Sequence, residues 1–175
     1  NLSKHDAVDK SPSRSFNDEW VAFQSDRDGN NEIYYTDNMG NTQTRLTENE
    51  AEDINPMFGP DNTSIVFQSD RNGSWDLYMV NRLTGEETQL TDHEADEINP
   101  FFSASGNILV FESNRNGNQD IYLLNLVTGE EYRITTGEGD EIYPALSPNG
   151  QKVAFLAQVH GIWNVFVIGI DGENQ

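Results

Sequence analysis

Short apolar runs recur along the chain, each followed by a polar turn and a second apolar run. Ser64-Ile65-Val66-Phe67 leads through Ser69-Asp70-Arg71-Asn72-Gly73 to Asp76-Leu77-Tyr78-Met79-Val80, which reads as strand, tight turn, strand. Thr84-Gly85 then supplies a second turn before Glu87-Thr88-Gln89-Leu90-Thr91, and Ile98-Asn99-Pro100-Phe101-Phe102 begins a fourth strand leading into Ser105-Gly106-Asn107. The runs are rich in Val, Ile, Phe and Tyr and nearly continuous rather than alternating, as expected of strands packed on both faces. No helical period competes with this pattern.

The pattern repeats. Pro12, Pro56, Pro100 and Pro144 stand 44 residues apart, as do Phe23, Phe67, Phe111 and Phe155, and Tyr34, Tyr78, Tyr122 and Phe166. Four units of about 44 residues, 4–47, 48–91, 92–135 and 136–175 together with 1–3, fill the 175-residue chain as one expected domain. A period of this length with four short strands per unit is the signature of a β-propeller, in which each blade buries its faces against its neighbours. The expected fold is therefore all-β, with four four-stranded antiparallel blades.

Ser25-Asp26-Arg27-Asp28-Gly29-Asn30-Asn31-Glu32-Ile33-Tyr34 and Pro144-Ala145-Leu146-Ser147-Pro148-Asn149-Gly150-Gln151-Lys152-Val153-Ala154-Phe155 resemble the paired motifs of TolB-like, WD-repeat-like propeller repeats. The resemblance covers essentially the whole chain. It specifies a fold more than a function, because such blades occur in Tol-system proteins, in propeller domains of serine peptidases and in polysaccharide lyases. Relatives of this type usually have six to eight blades. Leu2-Ser3 aligns with Leu46-Thr47, Leu90-Thr91 and Ile134-Thr135, while Gln175 aligns with Glu131. A self-closed four-bladed ring, completed by the first residues, and half of an eight-bladed homodimer are both open, as is a fragment of a longer chain. The resemblance also implies a periplasmic or extracellular address.

Composition narrows the function. Ten Lys and Arg against 30 Asp and Glu give a formal charge of -20, which repels nucleic acid and anionic lipid and attracts cations or a basic peptide. The absence of cysteine excludes disulfides and thiolate metal sites. No run approaches the roughly 18 apolar residues that membrane insertion needs, and Asn1-Leu2-Ser3-Lys4-His5-Asp6 does not read as a signal peptide.

Carboxylates fall in two repeat positions just before each proline. Asp6, Glu50, Glu94 and Glu138 occupy one, the expected partner-binding position; Asp9, Asp53, Glu97 and Glu141 occupy the other, where calcium is the candidate metal. If the family geometry holds, both sets surround one mouth of a central channel. The alternative is that they solvate loops or accept backbone hydrogen bonds. Trp75 and Trp163 share a repeat position and are candidates for partner contact as well as packing. His5 and His93 share another and read as surface histidines. Asp26-Arg27-Asp28-Gly29 superficially resembles a calcium loop but reads better as a hairpin turn with glycine at positive φ.

Arg27, Arg71 and Arg115 recur with Glu32, Asp76 and Asp120, and pairing across a hairpin or to the next blade would fix orientation; the fourth unit breaks the pattern with Val159, His160 and Asn164. No Gly-x-Ser-x-Gly elbow, HExxH or phosphate-cradling loop is present, and no catalytic residue is assigned. The reading is a non-catalytic scaffold for a protein or peptide. The alternative is the substrate-gating or sugar-binding part of a peptidase or polysaccharide lyase.

Overall fold

A computed structural model describes residues 1–171. The chain divides into two compact units, Asn1–Asp92 and His93–Gln175. The first holds two sheets: β1 (Asp9–Arg14), β2 (Trp20–Ser25), β3 (Glu32–Asp37) and β4 (Gln43–Arg45), then β5 (Asp53–Phe58), β6 (Ser64–Ser69), β7 (Asp76–Asn81) and β8 (Glu87–Gln89). The second holds β9 (Glu97–Phe102), β10 (Ile108–Ser113), β11 (Asp120–Asn125) and β12 (Glu131–Arg133), then β13 (Glu141–Leu146), β14 (Lys152–Val159) and β15 (Ile162–Gly169). Each sheet is an antiparallel meander in chain order, four-stranded in the first three and three-stranded among the described residues of the last. These are propeller blades, and the described residues contain no helix. Ile98-Asn99-Pro100-Phe101-Phe102 opens the third blade rather than closing the second, because Phe102 pairs with Leu109.

Burial follows the continuous apolar pattern. In β6 and β10 every residue after the first is buried, so both faces are covered. In the first unit Ala22 and Ile33 of one blade pack with Phe58, Ile65, Phe67, Tyr78 and Val80 of the next. The outermost strands β8 and β12 are exposed throughout and carry Glu87, Glu131 and Arg133, charges that discourage edge-to-edge pairing.

Each first strand carries a bulge before its proline. Ser11, Asn55, Asn99 and Tyr143 have φ of 49°, 51°, 52° and 54°, and the ladder slips at these points. Proline has no N–H to give the ladder, so it fits where pairing is interrupted. The bulge turns the preceding residue's N–H toward the neighbouring blade. Asn55 donates to Gln24 Oε1 at 3.0 Å, and Tyr143 to Glu112 Oε1 at 2.7 Å.

Blades within a unit are also fastened at their loops. Asn30 Nδ2 donates to the carbonyls of Asn49 and Ala51, and Glu52 Oε2 accepts from Asn31 Nδ2 at 2.6 Å. In the second unit Asn118 Nδ2 donates to Gly137 and Gly139 carbonyls, and Asp140 Oδ1 accepts from the Gln119 N–H at 3.0 Å.

Candidate functional site

One arginine ties together the strands of each of the first three blades. Arg71, in the β6–β7 turn, donates from Nε to Ser69 Oγ at 2.8 Å, from one terminal nitrogen to Glu87 at 2.7 Å and from the other to Asp53 at 3.0 Å. Its guanidinium lies 4.2 Å from the centre of the Tyr78 ring. Arg115 repeats this with Ser113, Glu131, Glu97 and Tyr122, at 3.0, 2.7, 3.0 and 4.4 Å. Arg27 does so with Ser25, Gln43, Asp9 and Tyr34, at 2.9, 2.5, 3.3 and 4.4 Å. The planar, five-donor guanidinium suits this task because it can bond sideways and stack at once.

This revises the pairing expected from sequence. Arg27, Arg71 and Arg115 reach Asp9, Asp53 and Glu97. Glu32 and Asp120 instead hold Arg45 and Arg133, each at 2.8 Å, from the outermost strand of the same blade. Asp76 lies 3.5 Å from Gln89 Nε2, which occupies the equivalent position. Glu32 also accepts from Thr47 Oγ1 at 2.6 Å, while that oxygen receives the Ile33 N–H at 2.9 Å. Thr91 and Thr135 receive Leu77 and Ile121 N–H in the same way. The sequence shows these threonines recurring at the repeat spacing but not the task they share.

The carboxylates expected to face calcium are thus distributed as follows. Asp53 and Glu97 are fully buried against their arginines. Burial works against the Asp9 carboxylate, but hydrogen bonds from Ser25, Ser3 and Arg27 outweigh it and hold its pKa below the usual value. Glu141 is 6 % exposed and has no arginine at the equivalent place. Among the described residues no group of three or more His, Asp or Glu side chains is placed to hold a metal ion.

Asp6, Glu50, Glu94 and Glu138 are all exposed, on the loops that precede each blade's first strand. Those loops are shaped from within. His5 Nδ1 accepts the Ala7 N–H at 3.1 Å, Asn49 Oδ1 the Ala51 N–H at 2.7 Å and His93 Nδ1 the Ala95 N–H at 3.0 Å. Asp26, Asp70 and Asn114 in the hairpin turns accept N–H groups of Val8, Glu52 and Asp96. Gly29, Gly73 and Gly117 take φ of 115°, 100° and 103° in these turns. The histidines therefore do a turn-shaping task that asparagine does in the second blade. Trp75 is half-buried, whereas Trp163 is 44 % exposed on β15.

The fourth blade departs from its siblings. β14 and β15 each run eight residues and meet in a tight turn, His160-Gly161, with φ of 51° and 78°. Val159 stands at the arginine's repeat position, Ala157 at the serine's and Phe166 at the tyrosine's. Gln175, the counterpart of Gln43, Glu87 and Glu131, lies outside the described residues. Burial pushes the Glu141 carboxyl above its ordinary pKa; bonds from Thr135 and the Gly137 backbone offset this in part, and nearby Asp120 adds to it.

The profile of the TolB beta propeller domain matches residues 1–85 and 72–175. No curated protein matches the chain. Among solved structures, a protein designated TolB in Agrobacterium tumefaciens superposes with a TM-score of 0.82 at 25% identity, over 94% of this chain and 62% of that one. TolB from Acinetobacter baumannii gives 0.78 at 22% identity, over 94% and 42%. An oligogalacturonate lyase from Vibrio parahaemolyticus gives 0.82 at 17% identity, over 99% and 54%, a likeness of fold alone. The chain thus spans less than two-thirds of the length of each of these proteins.

Proposed function

Because the chain belongs to the TolB beta propeller domain family, we propose that it is a non-catalytic scaffold that binds a protein or a basic peptide outside the cytoplasm. The supporting observation is the contrast between the two acidic repeat positions. Asp9, Asp53 and Glu97 are spent inside the blades on arginines, whereas Asp6, Glu50, Glu94 and Glu138 stand exposed on loops of the same repeat. In three of the four repeats, those loops are held by the side chain of the preceding residue. Preformed loops lose little entropy on binding, and a surface of one sign steers a partner of the other.

The test is binding of a fluorescent (Lys-Ala)4 peptide, followed by anisotropy at two salt concentrations. Binding that weakens on raising salt from about 50 to 300 mM, and at least tenfold in the D6N/E50Q/E94Q/E138Q variant, is the expected result. Binding unchanged by the four neutralisations, or no binding at low salt, overturns the reading.

A further inference from the structure

In the fourth blade valine stands in the arginine's place, but the carboxylate and the aromatic pair that the arginine binds in the other blades are still there. Phe155 and Phe166 stack at 6.0 Å and 25°, against 5.9 Å and 29° for Phe67–Tyr78 and 5.8 Å and 27° for Phe111–Tyr122, the pairs on which Arg71 and Arg115 lie. Glu141 occupies the place of Asp53 and Glu97, at the start of the blade's first strand. Where the guanidinium would sit there is a pocket of about 290 Å³, lined by Glu141, Thr135, Phe155, Ala157, Val159 and Phe166. One water occupies about 30 Å³ of liquid, so the space takes a group of several heavy atoms. Glu141 Oε2 is buried in that lining and has no hydrogen-bond partner among the described residues.

We propose that this pocket binds a guanidinium group supplied from outside the chain, stacked on Phe166 and bonded to Glu141, as the blade's own arginine does in the other three. The site is separate from the exposed loop acids and stands whether or not those bind a basic peptide. A flat guanidinium fits better than an ammonium, because the pocket offers a ring face and a carboxylate edge together, and its aromatic wall solvates a compact ammonium poorly.

The charges around Glu141 agree with a missing cation. Asp120 of β11 lies beside it, and Arg133 of β12 is already bonded to Asp120 at 2.8 Å. Two neighbouring carboxyls with one cation leave the more weakly paired, Glu141, harder to ionise, and a guanidinium beside it would favour its charged form. Binding therefore tightens as pH rises through the raised pKa of Glu141 and levels off above it.

Two guanidinium sources are distinguishable. N-acetyl-arginine amide and a nine-residue peptide with one central arginine are titrated into the 175-residue chain, with lysine counterparts as controls, while the Phe155 and Phe166 ring resonances are followed. Saturable shifts with both arginine probes, at least fivefold weaker with lysine, are expected. A peptide bound tenfold more tightly than the single residue assigns the site to an arginine of a partner protein, and equal affinities assign it to a small guanidine. E141Q, which mimics the protonated carboxyl and so is expected to fold, should weaken binding at least tenfold. V159R, whose side chain enters the pocket from its rim, should abolish it and raise the melting temperature. Absence of saturation in the parent chain, equal binding of lysine, or unchanged binding in both variants overturns the proposal.

Discussion

Replacing Arg71 with methionine tests whether the guanidinium clamp holds a blade together. Met fills the same space over Tyr78 but offers no donor, leaving the fully buried Asp53 carboxylate without its cation. Breaking a buried pair from one side costs about 3–5 kcal/mol, most of it the stranded charge. Two features favour the lower end. Asn49 Nδ2 still donates to Asp53 at 2.8 Å, and the Arg71 side chain is 24 % exposed, so water reaches part of the site. The half-exposed Glu87 arm adds little, as surface pairs do. A loss of about 3 kcal/mol is expected; with an m-value of about 2 kcal/mol/M, the urea midpoint falls by about 1.5 M. Adding D53N should recover more than half of the loss by removing the unpaired charge. Urea melts of the parent, R71M, D53N and the double variant close the cycle. A loss under about 1 kcal/mol in R71M, the range of exposed pairs, would falsify the idea that this pair is buried and structural.

Glu112 is buried, and burial raises its pKa against bonds from the Tyr143 N–H and Asn99; Gln24 and Gln68 fill its repeat position. A raised folded pKa means that the native state binds more protons than the unfolded one, so stability declines as pH climbs from the ordinary glutamate value of 4.5 through the raised value. E112Q keeps the acceptor and removes the charge, and its melting-temperature advantage should grow from pH 4 to pH 7; a constant difference refutes this. T47V leaves the buried Ile33 N–H without an acceptor and takes a donor from Glu32, for an expected loss of about 2 kcal/mol in urea melts. A loss below about 0.5 kcal/mol would show that water substitutes. Burial, then the Asp28 carboxylate accepting its hydroxyl, pushes Tyr34 up to about 12. Burial also raises Tyr78 and Tyr122, so ultraviolet titration should show several late tyrosines, one of which Y34F deletes and D28N brings to lower pH; a titration unaltered by D28N sinks the assignment.

The blades were legible from sequence because the copies use the same residues for the same contacts, so Phe and Pro return every 44 positions in all four and Tyr and Arg in the first three. Partner choice was not legible by that route. Asp9 and Glu32 both recur in step with Arg27, and spacing shows that an acid accompanies the arginine without showing which. The hairpin geometry decides, sending Arg27 back to the first strand and leaving Glu32 to Arg45 of the fourth. His5 and His93 were visible as occupants of one column with Asn49, yet their common property, an acceptor facing an N–H two residues on, emerges only once the loop is folded. The break at Val159, His160 and Asn164 was plain in the sequence. That it opens a lined pocket depends on Glu141 and the phenylalanine pair remaining in place, which no single position reveals.

The loop bonds between neighbouring blades have a bearing on how such chains come to exist. The donor half, Asn30-Asn31 or Asn118-Gln119, sits on the earlier blade, and the matching half, the loop ending in Glu52 or Asp140, on the later one. An adjacent pair of repeats therefore carries a plug in its first half and the matching socket in its second. Tandem duplication of a segment encoding such a pair would copy the working junction whole. Arrays of this kind can lengthen by copying alone, and single copies, such as the one with valine in the arginine's place, are free to diverge while their neighbours keep the assembly intact.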